Sequence, residues 1–179
     1  MHRYFYDLEF EEDGTTIIPI SIGMTSDDNR DLYLINREYM QSYIDLEGYE
    51  WRGNPSVITP WLSKNVCNHI SQESIDLFGF DYEDWGPIIL NFISDGGRIK
   101  SRDDVELWAY FAAYDHVSLA QNWGPMIQLP EPIPMFTRDL KAEIVKNRDI
   151  PFRPEIEHHA LWDAKWNKQV WETYRGDHV

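Results

Sequence analysis

Apolar and polar positions alternate from the first residues of the chain. Tyr4, Tyr6, Leu8 and Phe10 fall on one side of an extended segment and Phe5, Asp7 and Glu9 on the other, which predicts a strand over residues 4–10. Acidic residues and Gly14 predict a turn. The isoleucine-rich run Thr15–Met24, with a glycine near its end, predicts a second strand, and the two read as an antiparallel hairpin. Leu32, Tyr33, Leu34 and Ile35 predict a third strand over 31–36. Tyr43–Pro60 is polar and broken by Gly48, Gly53, Pro55 and Pro60, as in an irregular surface connection. A helix is predicted near Glu83–Ser94 and ended by Gly96-Gly97, with Gly86-Pro87 leaving its start open. Val105–Tyr114 is apolar on both faces, the pattern of a buried central strand. A short amphipathic helix follows from His116 to Trp123 and stops at Gly124-Pro125. Leu129–Pro134 reads as a stiff proline-rich link and Thr137–Arg148 as a helix with Thr137 at its N-cap. Pro151 and Pro154 keep the next link extended, and Ala160–Tyr174 predicts a last helix. Strands first, then strands alternating with helices, predict an α/β fold, a mixed β-sheet flanked by α-helices, with residues 1–179 as a single domain.

Composition narrows the partners. The 179 residues hold 16 Lys plus Arg against 31 Asp plus Glu, a net charge of −15, whose field repels nucleic-acid backbones and anionic membranes. That leaves room for an enzyme that grips a short strand end through bound cations. The longest apolar run, Leu107–Tyr114, is far short of the roughly 20 residues of a membrane span, so no membrane partner is expected. Asp7, Glu9, Glu11, Glu12 and Asp13 argue against a secretory or basic transit peptide. Cys67 stands alone, which agrees with a reducing, cytoplasmic setting.

A few side chains stand out by where they fall. Asp7 and Glu9 are two apart on a strand, so both carboxylates leave the same face roughly 7 Å apart. They are either a surface pair on an edge strand or a pair satisfied by a hard divalent cation. Asp115 follows an apolar strand and precedes a helix; it is either an N-cap or a group at the strand end where ligands of open sheets bind. Near the C-terminus, His159 and Asp163 are four apart and share a helix face, while His158 reaches the same pocket only from the helix start. A capping or exposed histidine pair is the other reading.

Taken in order, Asp-x-Glu (Asp7, Glu9), Ala-Tyr-Asp-His (Asp115) and His-x-x-x-x-Asp (His158, Asp163) resemble the DEDDh superfamily of 3′-5′ exonucleases. The segments Tyr6–Phe10, Trp108–Val117, Ile133–Thr137 with Leu140, and His158–Ala164 are similar more narrowly to the mycobacterial-type, ribonuclease T-like 3′-5′ exoribonuclease family. The resemblance implies a ribonuclease H-like fold. It implies that Asp7, Glu9, Asp115 and Asp163 hold two Mg²⁺ or Mn²⁺ ions, with Asp7 shared between them. By its spacing it also selects His158 over His159 as the general base. The reaction it implies is hydrolysis of single-stranded RNA from the 3′ end to nucleoside 5′-monophosphates, and related enzymes are often homodimers. Leu8 and Phe10 sit where related enzymes touch the terminal base or sugar, although strand alternation turns them from Asp7 and Glu9 and toward the core. Trp108, Phe111, Tyr114 and Trp162 are either core or stacking surfaces, and His159 serves substrate or packing. Arg98, Lys100 and Arg102, and the set Arg138, Lys141, Lys146, Arg148 and Arg153, either track the strand or solubilise loops. The alternatives are a 3′-5′ DNA exonuclease of the same superfamily and a non-catalytic acidic mimic of nucleic acid.

Overall fold

The computed structural model describes residues 1–45, 60–145, 150 and 158–174. Three antiparallel strands open the chain, β1 (His2–Glu12), β2 (Ile17–Ser26) and β3 (Asp31–Asn36). The β1–β2 turn is held by Asp13, whose carboxylate accepts the amides of Thr15 and Thr16 at 2.8 and 2.7 Å, and Gly14 supplies the left-handed φ of 81°. Helix α1 (Arg37–Asp45) follows β3 directly, then α2 (Pro60–Asn65), α3 (Gln72–Phe78), the two-residue strand β4 (Gly79–Phe80) and α4 (Tyr82–Ile93). The second half holds β5 (Val105–Ala109), α5 (Ala113–Ala120), β6 (Arg138–Asp139) and α6 (Ala160–Tyr174).

The six strands form one sheet in the order β4-β3-β2-β1-β5-β6. β1 runs antiparallel to β2 and parallel to β5, and β6 is parallel to β5. The result is the expected α/β fold, a mixed sheet flanked by helices, in an arrangement compatible with the ribonuclease H-like expectation. Both faces of β1 are covered. Tyr4, Tyr6 and Leu8 join Trp85, Ile89 and Ile93 of α4 in the main core, while Phe5 packs with Trp108 and Trp171 on the α6 side. No helix among the described residues is long and apolar enough to cross a membrane.

Several segments depart from the pattern reading. The apolar run after Val105 is strand only to Ala109. Phe111 then turns the chain with a φ of 61°, and the Ala112 amide donates to the Asp139 carboxylate at 3.2 Å. Phe111 and Tyr114 are exposed, so this apolar stretch is not buried throughout. Thr137 does not cap a helix over 137–148. Its hydroxyl pairs with Tyr6 Oη at 2.5 Å and with His116 Nδ1 at 3.0 Å. Arg138–Asp139 is a strand, and Asp139 accepts the amides of Lys141 and Ala142 at the start of a π-helical turn, Lys141–Val145; residues 146–149 lie outside the described set. Tyr43 belongs to α1, its hydroxyl bonded to Ser63 Oγ and Asn68 Oδ1, and Pro60 opens α2, so the ends of the expected irregular connection are helical; residues 46–59 lie outside the described set, as do Pro151 and Pro154. α3 was not predicted; its signal is the Ser71 cap, which accepts the Ser74 amide at 3.2 Å.

Candidate metal centre

Strand alternation sends Asp7 and Glu9 to the face of β1 that α6 covers. Opposite Asp7 in the ladder stands Gly23 of β2. A Cβ built on Gly23 would lie 2.1 Å from the Leu161 amide nitrogen and 2.2 Å from its Cα, so the first turn of α6 rests on bare sheet backbone at that position. Further along, Asn167 Nδ2 donates to the Tyr6 carbonyl at 2.9 Å. The Lys168 ammonium donates to the Ser26 carbonyl at 2.9 Å and to Asn29 Oδ1 at 2.6 Å. The helix is thereby fixed over the acidic strand, and Asp163 arrives beside Asp7 and Glu9, with carboxylate oxygens of all three within 4.8 Å of one another. Glu9 and Asp163 are buried, at 8% and 6% exposure. Three hard oxygen donors so close, two of them removed from water, repel one another unless a cation lies between them, which is the donor set that Mg²⁺ or Mn²⁺ takes.

The fourth acid comes from the other side of β1. β5 pairs with β1 only as far as Phe5↔Trp108, and beyond that point the first turn of α5 takes its place. There Asp115 Oδ1 accepts the amide of Leu8 at 3.1 Å, between the two strand acids in the chain. Asp115 is three residues past the Ala112 N-cap and is not a cap itself. Its carboxylate stands outside the closest grouping of the other three. Burial, with the charge of Asp139 adding and the Leu8 amide opposing, pushes its pKa up to about 7. The folded state holds this proton more tightly than the unfolded chain, so the contribution is full below the ordinary carboxyl range and lost as pH rises through about 7. In chelator, the melting temperature is expected to fall from pH 5 to pH 8, the decline to flatten in Asp115→Asn, and added Mn²⁺ to restore stability at pH 8. Scanning fluorimetry across that range checks it, and a flat parental profile would exclude a buried acid of this kind.

His158 sits just before α6 with a φ of 63°. Its Nδ1 lies 3.9 Å from Glu9 Oε1, and its ring meets Trp61 edge-on at 4.8 Å. His159 turns elsewhere: its ring stacks on Tyr33 at 4.6 Å, its amide donates to Asp163 Oδ2 at 3.2 Å, and burial lowers its pKa, with the nearby charges of His69 and Lys165 adding. Of the two histidines, His158 faces the carboxylates.

Residues 2–175 match the 3′-5′ exoribonuclease Rv2179c-like domain family. The chain belongs to this family. It is also similar to the 3′-5′ exoribonuclease Rv2179c of Mycobacterium tuberculosis strain H37Rv, with 36% identity over 166 residues that cover 91% of this chain and 87% of the relative. The 3′-5′ exoribonuclease MT2234.1 of M. tuberculosis strain CDC 1551 matches with the same identity and coverage.

Within this exoribonuclease family member, the expected substrate contacts separate by burial. Leu8 is a core residue, and Trp108 is enclosed beside Phe5 and Trp171, so neither offers a stacking face to solvent. Phe10 lies on the face of β1 that carries Leu8, as alternation predicts, packs against the same core while only partly buried, and stacks on exposed Tyr114 at 5.9 Å and 14°. Tyr114 directly precedes Asp115 in the chain. Sequence reasoning passed over Trp61, Gly23, Asn167, Lys168 and Asp139. The sequence signals were modest: a glycine inside an isoleucine-rich strand, and Asn167 one helical turn after Asp163. Of the basic segments, Arg98 pairs with Asp95, Arg102 with Glu131, and Arg138 with Glu106 and Glu143, which leaves these charges largely compensated. Lys146, Arg148 and Arg153 lie outside the described residues.

Proposed function

We propose that this protein is a metal-dependent 3′-5′ exoribonuclease of the DEDDh type, which hydrolyses single-stranded RNA from its 3′ end to nucleoside 5′-monophosphates in the cytoplasm. The observation that carries the reading is the convergence of Asp7, Glu9 and Asp163, with His158 beside Glu9 and Asp115 bonded to the strand between Asp7 and Glu9. The family names support 3′-5′ polarity and RNA. Asp7, Glu9 and Asp163, with Asp115 beside them, would hold two Mg²⁺ or Mn²⁺ ions. The chemistry such ions supply when bound is positive charge that cancels carboxylate repulsion and stabilises the attacking and leaving oxygens of a phosphodiester.

The rest falls to the chain's own groups. Asp163 is tied to the His159 amide, and α6 is tied to β1 and to the β2–β3 turn, so the carboxylate positions are set before substrate arrives. His158, placed at the start of α6 beside Glu9, takes the proton of the attacking water. Phe10 and Tyr114 offer an apolar surface for the terminal nucleotide. Replacing His158 by Ala is expected to lower kcat by about 10²–10⁴-fold while Mn²⁺ binding persists. Parental kcat in that variant would remove the base from the scheme.

The reading as a whole is tested by a time course on 3′-labelled and 5′-labelled single-stranded RNA and DNA with Mn²⁺, Mg²⁺ or chelator. The expected pattern is immediate mononucleotide release from the 3′ label, progressive shortening of the 5′-labelled RNA, and no reaction in chelator. Equal degradation of DNA would replace RNA by the broader DNA exonuclease reading. Absence of metal-dependent release from any substrate would favour the acidic mimic.

A further inference from the structure

α6 carries three tryptophans, of which Trp166 and Trp171 are buried, at 3% and 9% exposure. Trp162 differs. It stands one residue before the site acid Asp163 and is 45% exposed. Its ring lies 6.3 Å from that of His159, which stacks in turn on Tyr33 at 4.6 Å, so ring contacts lead outward from the edge of the carboxylate cluster. The ammonium of Lys165 sits 5.0 Å from the Trp162 ring centre and pairs with Asp31 at 2.7 Å. An indole held by a rigid helix beside an acidic site is a surface on which a base can stack irrespective of its sequence. The cation beside it suits the phosphate next to such a base. Against the overall charge of −15, a strand approaching this site needs positive charge of this kind where it enters.

We infer that Trp162 and Lys165 form an upstream subsite for single-stranded RNA, which rests on the exoribonuclease reading above. The open face of Trp162 stacks a base lying 5′ to the nucleotide being removed. Lys165 exchanges Asp31 for a phosphate of the same strand. The subsite therefore distinguishes an oligonucleotide from a substrate that has nothing upstream of the scissile bond.

The test compares a five-nucleotide RNA with the p-nitrophenyl ester of uridine 5′-monophosphate. Water cleaves the ester to UMP and p-nitrophenolate, and it presents no upstream nucleotide. In Trp162→Ala the ratio of kcat/KM for RNA to that for the ester is expected to fall about 10-fold, through KM on RNA, and Trp162→Phe to recover most of the loss. In Lys165→Gln the slope of log KM for RNA against log salt is expected to drop by about one. Trp162→Ala with the parental ratio, or Trp162→Phe as poor as Trp162→Ala, would overturn the subsite while leaving the exonuclease intact. A parental protein inert on both substrates would overturn the exonuclease reading, and the subsite with it.

Discussion

Asp163→Asn is expected to lose about 10³-fold in the rate of RNA hydrolysis, together with tight Mn²⁺ binding, while keeping its fold. The substitution isolates charge from shape. An amide oxygen at the same place still accepts the His159 amide that now donates to Asp163 Oδ2 at 3.2 Å, so the start of α6 keeps its bond. What disappears is one of three carboxylates whose oxygens lie within 4.8 Å of one another. In chelator this removes repulsion, and the variant is expected to melt at or above the parental temperature. With Mn²⁺ the order reverses, because the parent gains binding energy that the variant lacks. Calorimetric titration and paired melts with and without Mn²⁺ read these effects apart from turnover. An Asp163→Asn protein that takes up Mn²⁺ like the parent would take this side chain out of the ligand set.

Gly23→Ala is the second large effect, and it acts without touching any acid. The added methyl has no room, since the Leu161 backbone would stand 2.1–2.2 Å away where real contacts stay above 3.0 Å. Either β2 sinks or the first turn of α6 lifts by about an ångström, and neither motion is accommodated by rotating a flexible side chain. Overpacking of this kind costs roughly 1–3 kcal/mol. Because Asp163 travels with the helix, the misplaced carboxylate is expected to lower kcat by about 10²-fold. The lowered melting temperature and the weakened Mn²⁺ affinity should appear together in a protein that still folds. Parental stability and turnover in Gly23→Ala would mean that α6 does not rest on this strand.

The legible parts of the site are those where local pattern and chemistry coincide. Asp7 and Glu9 share a face because β1 is extended through both, and Asp163 lies on a helix whose limits, Ala160–Tyr174, are those the pattern predicts. Asp115 was legible as a residue but not as a contact. The apolar run around it resembled continuous strand, whereas the chain turns at Phe111 and delivers Asp115 from a helix. The misread Thr137 has the same origin. A threonine ahead of an apolar stretch looks like a cap, but its hydroxyl is engaged by Tyr6 and His116, and Asp139 provides the amide contacts two residues later. Phe10 obeys alternation and packs beside Leu8, but its stacking on Tyr114 joins segments about a hundred residues apart in the chain that no local rule connects.

By itself, the amino-acid sequence determined which groups are available, the order in which they occur, the strand and helix that carry three of the acids, and the acidic charge that any anionic substrate must overcome. These follow from local periodicity and composition. Which of them meet was decided in three dimensions. Gly23 lets a helix from the far end of the chain settle against the central strand. The early end of β5 opens a gap that Asp115 fills, and a left-handed residue turns His158 toward Glu9 while its neighbour packs on Tyr33. Contacts of this range depend on close packing between elements more than a hundred residues apart, and no local rule encodes the distance between them.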